Sequence, residues 1–421
     1  MPMGTNHPGI GSYNQAVVLE AIRASDGISR VQIAGRTGLT AQTVSVIVRR
    51  LLGEGLVREG GTLPSSGGKP RTILRINPDA GYAIGIHFDP AEITVVLANL
   101  AGVPVRTCRR TLTTGLRPAS VIAVMARTTR SLLDAARVSD AQVLGVGLAC
   151  PGPLDTDGTM YSPPQLSGWD RIPIRALLEE ATGFAVCFDN DATAAAIGER
   201  WAGAGRSVPS YAYLYLGTGI GGGLVLDHQI YRGRSLGAAE FGHLTVVPGG
   251  AECYCGNRGC LEAECRPAAI EAAHAARTGH RLTHAGICAA FRAGDVGAVE
   301  TIRGVTVRLA DAAVSIVNLL DVDLLLIGGP ALREAADAFR DAMAQAVNTR
   351  SFNRRLHDVR VEIAPMGADA AAIGAASLVF HSTYAPTLPT RPRRPPPLHT
   401  PHASLASLAG DNDVNSAPEE Q

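Results

Sequence analysis

The chain has 421 residues, and its 38 Lys+Arg balance 38 Asp+Glu, so no overall field marks it as a binder of nucleic acid or of anionic membrane. A 46% hydrophobic content suffices for large cores in two or three domains, and eight cysteines over this length exclude a disulfide-dense scaffold. The start lacks the charged-then-apolar order of a signal peptide and no apolar run is long enough to span a bilayer, so a reduced cytoplasm is the expected compartment.

The charge balance is uneven along the chain. Residues 1–80 carry nine Lys/Arg and five Asp/Glu, a net of +4 that the remainder offsets. Residues 1–12 read as a loose polar arm. From Asn14 to Ala24, Ala16, Val17, Val18, Ala21 and Ile22 fit one face of a helix. A second short helix spans Arg30 to Arg36 and stops near Gly38, and a third follows an N-cap at Thr40 with Val44, Val48, Leu51 and Leu52 inward. That stripe turns Gln42, Thr43, Ser45, Arg49 and Arg50 outward. LVREGG and RTILRI then alternate as two strands about the glycine-rich tip TLPSSGGKP, which carries Lys69, with Arg71 just beyond it. Residues 13–78 therefore read as a winged helix-turn-helix. Its third helix, with Thr40, Gln42, Thr43, Ser45 and Arg49, would enter the major groove, while Lys69 and Arg71 of the wing reach the flanking backbone or minor groove.

From Tyr82 the pattern becomes α/β. YAIGIHF, ITVVLANL and VPVRTCRRTL read as successive strands, and residues 118–137 as an amphipathic helix. VLGVGLAC and FAVCFDND follow as strands, the second delivering Asp189, Asn190 and Asp191 at its end. AYLYLGTGIGGGLVLD pairs two more strands about a glycine turn, residues 266–320 are mostly helical, and VDLLLIGGPAL and VRVEIAP are the last strands before a closing helix over 368–381. Pattern alone says an α/β body of more than one lobe over 79–382. Residues 383–421 are rich in proline and polar groups with little to bury, and read as a disordered tail.

The most informative stretch is GAAEFGHLTVVPGGAECYCGNRGCLEAEC, from Gly237 to Cys265. Cys253, Cys255 and Cys260 with His243 supply three thiolates and one imidazole, the donor inventory of a closed structural zinc site, and Gly256 and Gly259 allow the tight turn that returns Cys260 to the ion. Four ready ligands leave no open position for a catalytic zinc. Cys108, Cys150, Cys187 and Cys288 read as small buried hydrophobes. Glu240 and Glu262 flank the loop, where a metal-fixed pair of carboxylates suits a polyhydroxylated ligand.

E-x-G-H followed by C-x-C-G-x-x-G-C-x-E stands here as Glu240, Gly242, His243, Cys253, Cys255, Gly256, Gly259, Cys260 and Glu262, without a gap. This resembles the signature of the ROK family of repressors, open reading frames and sugar kinases, and the resemblance extends over roughly residues 12 to 380. It implies a two-lobed actin-like, ribonuclease-H-like sugar-kinase fold behind the winged helix. It also implies a sugar site formed by Asn190, Asp191, Glu240, His243 and Glu262, with Asp191 at the position of the kinases' general base.

Kinases of the family open with a D-x-G-[GT]-T loop that donates amides to phosphate. The corresponding stretch is His87-Phe88-Asp89-Pro90-Ala91, with a histidine for the leading acid, a carboxylate where glycine admits phosphate, and a proline with no N–H. Gly217 to Gly223 and Gly328-Gly329 resemble the second phosphate turn and part of the adenosine site. The expected protein is a sugar-responsive transcriptional regulator, a repressor of carbohydrate uptake or catabolism genes. It would hold structural Zn2+, bind operator DNA as a homodimer or dimer of dimers, and have no kinase activity. The alternatives are an ATP-dependent sugar kinase with an appended N-terminal domain and a DNA-binding protein governed by a protein partner.

Overall fold

The structure, a computed structural model, describes residues 11–63, 71–112, 117–164 and 166–386. The first ten residues, the wing tip with Lys69, and the tail from 387 onward lie outside the described residues. The first helix, α1 (Gly11–Arg23), begins inside the stretch expected as an arm, and α2 (Arg30–Thr37) and α3 (Ala41–Gly53) follow. Ser29 caps α2 through a reciprocal pair with Gln32, and Gly38 ends it in the left-handed region at φ 69°, the sharp turn that separates the two helices. Thr40 caps α3 as its sequence position predicts, its side chain accepting from the Thr43 amide. Val44, Val48 and Leu51 are fully buried, while Leu52 is only half-buried. The strands β1 (Val57–Leu63) and β2 (Arg71–Ile76) pair antiparallel as the wing.

The body holds two sheets of one topology. The first contains β3 (Tyr82–Phe88), β4 (Glu92–Asn99), β5 (Pro104–Thr111), β6 (Val143–Cys150) and β7 (Val186–Asn190), in the order β5-β4-β3-β6-β7. Two helices punctuate it, α4 (Pro118–Ala136) before β6 and α5 (Ile174–Thr182) before β7. After β7 the chain enters α6 (Asp191–Ala202) and crosses to the second sheet. There β8 (Tyr211–Leu216), β9 (Ile220–Leu226) and β10 (Gln229–Ile230) form a meander. The helices α7 (Leu261–Cys265), α8 (Pro267–Thr278), α9 (His284–Arg292) and α10 (Val296–Leu320) lead to β11 (Leu324–Gly328). Then α11 (Ala336–Arg350), β12 (Arg360–Ile363) and α12 (Ala370–Tyr384) complete the described chain. The second order, β10-β9-β8-β11-β12, repeats the first: an antiparallel meander extended by two parallel strands. This duplication is the two-lobed arrangement expected from the resemblance.

Two helices stitch the lobes together. Although α12 ends the described chain, it packs on the first sheet, where a Cβ on Gly85 or Gly147 would lie 2.0 or 1.7 Å from the carbonyls of Ala372 and Ala375. Small residues there let helix backbone rest on strand backbone. α6 lies along α12 and is buried from Ala192 through Trp201. The winged helix is not an isolated bead. Its core residues Val18, Ile22, Val44 and Leu74 continue into Leu100, Trp201, Ile373 and Phe380 as one apolar cluster. Cys150 and Cys288 are buried as expected, whereas Cys108 and Cys187 are half-buried. No helix among the described residues is long and apolar enough to cross a membrane.

Candidate functional site

The cysteine loop folds as its glycines demand. Gly256 and Gly259 adopt φ 89° and 71°, and a Cβ on Gly259 would lie 1.6 Å from the Val247 carbonyl. The turn brings donor atoms of His243, Cys253, Cys255 and Cys260 within 4.8 Å of one another. His243 Nδ1 lies 3.5 Å from Cys253 Sγ, and Cys255 Sγ 3.7 Å from Cys260 Sγ. A tetrahedral ion with Zn–N and Zn–S bonds of about 2.0 and 2.3 Å separates its donors by roughly 3.5–3.8 Å, so the donor set and its spacing both fit zinc. Burial pushes the Cys260 thiol up to about 12, and a bound cation is what would convert so reluctant a thiol to its thiolate. Cys265 is buried apart from the cage.

With Nδ1 turned to the cage, His243 Nε2 meets Tyr254 Oη at 3.1 Å, and the two rings stand edge to face. Tyr254, 57% exposed between two of the cage cysteines, is not among the residues expected from the sequence. An aromatic flanked by ligand cysteines is the signal that could have found it.

Three elements deliver the carboxylates. Asp191 opens α6, and Asn190 is that helix's N-cap. Asn190 Oδ1 and Asp191 Oδ1 both accept from the Ala192 amide, at 2.9 and 2.7 Å. The Asn190 carbonyl is thereby committed to the cap, which leaves its NH2 for a ligand. Glu262, buried in α7, accepts from the Ile220 amide at 2.8 Å and so ties the cysteine loop to the start of β9. Solvent reaches the Glu240 side chain, which accepts no hydrogen bond from any described residue. Desolvation by its surroundings still raises the Glu240 carboxyl, with His243 opposing and Glu262 adding. Burial pushes the Asp191 carboxyl up to about 7, against the Ala192 N–H and with help from Asp89, Glu240 and Glu262. Asp191 Oδ2 stands 4.0 Å from His87 Nε2, a buried nitrogen with no hydrogen-bond partner among the described residues, and burial lowers the His87 pKa.

The β3–β4 hairpin uses up its own amides. Asp89 N donates to Glu92 O and Glu92 N returns to Asp89 O, while Ala91 N donates to Asp89 Oδ1 at 2.9 Å. Pro90 has no N–H. Asp89 Oδ2 then accepts from Thr218 Oγ1 at 2.7 Å, joining this hairpin to the β8–β9 turn of the other lobe.

On α3, the hydroxyls expected to face DNA are already engaged. Thr40 and Thr43 Oγ1 are 2.8 Å apart, and Ser45 Oγ donates to Ala41 O at 2.8 Å. Gln42 and Arg49 are exposed without a partner among the described residues, and between them stands Val46, 58% exposed, a residue the apolar stripe does not single out. Arg50 is drawn aside to Glu54 at 2.7 Å. Arg71 is exposed at the start of β2.

Two lobes of this topology, closed around three carboxylates and a loop of one histidine and three cysteines, define a sugar-kinase-like protein with a helix-turn-helix in front. The chain belongs to the ROK family, whose sequence profile matches residues 84–382. A MarR family profile matches residues 12–62. The chain is similar to the xylose repressor of Caldicellulosiruptor bescii, 26% identical over 388 residues, or 89% of this chain and 97% of the repressor. It is also similar to a glucokinase of Halalkalibacterium halodurans, 34% identical over 257 residues, or 57% of this chain and 77% of the enzyme. Among solved structures it shares the fold of a ROK family transcriptional regulator described as a homolog of the E. coli MLC protein. That match has 24% identity and a TM-score of 0.73, covering 89% of this chain and 97% of the other.

Proposed function

We propose that this chain is a sugar-responsive transcriptional repressor. Residues 13–78 bind operator DNA, and residues 79–382 bind a sugar or sugar derivative through Asp191, Glu240, His243, Glu262 and the Asn190 amide. Structural Zn2+ in the His243, Cys253, Cys255 and Cys260 cage fixes the last part of that site. Operator symmetry is matched by a homodimer or dimer of dimers, since paired recognition helices read paired half-sites. The observation that carries this reading is one chain joining an exposed recognition row, Gln42, Val46 and Arg49, to a sugar-kinase cleft whose first phosphate loop has no amide to give. The similarity to a full-length xylose repressor supports the same reading over both parts of the chain.

The kinase alternative rests on the similarity to glucokinase and on the retained Asp191. It is weakened at the hairpin, where Asp89 places a carboxylate in the loop that would otherwise receive phosphate and spends the Ala91 amide on it. The test is selection of a duplex from a random pool by the full chain, followed by titration with D-xylose, D-glucose and N-acetylglucosamine. A selected duplex that one sugar releases is the expected result. A chain that selects no duplex, or one that no sugar of the panel affects, overturns it.

A further inference from the structure

The helix that begins in the cleft ends against the DNA-binding module. α6 starts at Asp191 and is 12 residues long, about 18 Å at 1.5 Å per residue. Its last turn carries Arg200 and Trp201. Arg200 Nη2 donates to Glu20 Oε1 of α1 at 2.8 Å. Arg23, also on α1, closes a fork on the Glu20 carboxylate at 2.7 and 2.8 Å and donates to the Arg200 carbonyl at 2.8 Å and to that of Trp201. Its guanidinium lies 4.9 Å from the centre of the Trp201 indole, whose Nε1 donates to the Leu100 carbonyl at 3.0 Å. Glu20, Arg23, Arg200 and Trp201 are all buried. Beyond the helix, Arg206 pairs with Asp26 at 2.7 Å.

We propose that α6 couples the sugar site to the winged helix, and that Glu20, Arg23 and Arg200 are the positioning residues through which the state of the Asn190–Asp191 end sets the pose of α1. This rests on the repressor reading above and specifies its regulation. The input is the cap. Asn190 and Asp191 both hold the Ala192 amide, so a hydroxylated ligand that draws the Asp191 carboxylate away leaves that amide to Asn190 alone and re-aims the first turn of α6.

Transmission follows from packing. A Cβ on Gly374 would lie 2.0 Å from the Ala194 carbonyl, and one on Gly198 2.9 Å from the Gly374 Cα. Backbones so closely seated leave no slack for local bending, so α6 moves as a unit between discrete arrangements. The output is the buried charge cluster. The fork lies within α1 and presents the Glu20 carboxylate in a narrow geometry, while the Arg200–Glu20 bond and the Arg23 bonds to the Arg200 and Trp201 carbonyls cross to α6, so α1 must follow the end of that helix.

The test uses the full chain, the selected duplex and the sugar that releases it. Arg200→Gln removes one donor and leaves Glu20 its fork with Arg23. Glu20→Gln keeps the length of the side chain and removes the charge that Arg23 and Arg200 share. Both are first checked by thermal melting for retention of the fold, so that either one suffices if the other fails to fold. The quantity read is the ratio of operator affinities without and with saturating sugar, which for allosteric proteins is typically about 5- to 150-fold. The expected result for Arg200→Gln is a ratio reduced at least fivefold, with sugar affinity and sugar-free operator affinity each within about threefold of wild type, a split that general destabilisation would not produce. A folded variant that keeps the wild-type ratio overturns the coupling while leaving the repressor reading intact. A wild-type chain that selects no duplex overturns the repressor reading and takes the coupling with it.

Discussion

Single residues here carry sharply different chemical loads. Cys260 is the buried corner of the cage, and desolvation together with the neighbouring Cys255 and Cys253 thiols raises its own thiol. Purified protein should therefore contain one zinc per chain by metal analysis. Cys260→Ser should lose the metal and lower the melting temperature, because binding of a structural ion is part of the folding free energy. Zinc retained at full occupancy in that variant would sink the assignment. Asp191 gives a pH prediction. Its carboxyl titrates near 7, raised by burial and by Asp89, Glu240 and Glu262, and the ionised form is the better acceptor for sugar hydroxyls. Sugar affinity should thus rise as pH climbs through about 7. Asp191→Asn should flatten that dependence and cost roughly ten- to a hundredfold at about pH 8, the equivalent of a charge-assisted bond of about 1.5–3 kcal/mol. Calorimetry on both proteins at a pH about one unit below and one above that midpoint decides it, and equal slopes would place the sensing carboxylate elsewhere.

At the scale of elements, the recognition helix makes the next prediction. Gln42, Val46 and Arg49 share one outer face of α3 at helical spacing, and among the described residues none is tied to another side chain. Arg49→Ala should cost about 1–3 kcal/mol if it reads a base, relaxing one operator position. If it holds a phosphate, it should lower affinity for all sequences and reduce the salt slope by about one. Val46→Ala should relax preference at a thymine, whose methyl is the partner an exposed aliphatic suits. Binding assays against single-base operator variants read both effects, and unchanged profiles would remove α3 from the groove. α3 was legible in advance because Val44, Val48 and Leu51 mark its inner stripe. The metal loop was legible because all its donors lie within a short stretch of chain. α6 was not. DATAAAIGERWA is buried from Ala192 to Trp201, so it has no polar face to set a period, and Glu199 and Arg200 break the rule that charges lie outside. Arg200 is inside because Glu20 is there to receive it, and that partner is 180 residues away, beyond the reach of any local pattern. The burial that would raise the Glu20 carboxyl is outweighed by Arg23 and Arg200, which hold it at about 2.

For the molecule as a whole, a carboxylate joins the two lobes across the cleft. Asp89 belongs to the first sheet's β3–β4 hairpin and Thr218 to the second sheet's β8–β9 turn, and their 2.7 Å bond links the two sheets. The same carboxylate takes the Ala91 amide, Pro90 supplies none, and the remaining hairpin amides at Asp89 and Glu92 bond to each other's carbonyls. A phosphate entering here would meet the Asp89 charge, with the Ala91 amide and the Thr218 hydroxyl already committed to that carboxylate, so wild-type protein should bind no MgATP by calorimetry and phosphorylate none of the panel sugars. Turnover of even about one per second, at the low end for enzymes, would overturn that. The converse experiment isolates the cause. Asp89→Gly combined with Pro90→Gly removes the charge, frees the Ala91 amide and restores an N–H at position 90. It should raise MgATP affinity into a measurable range while leaving the zinc content unchanged. If that double variant stays blind to nucleotide although the fold is intact, the block lies outside the hairpin, with His87 beside Asp191 as the next residue to exchange.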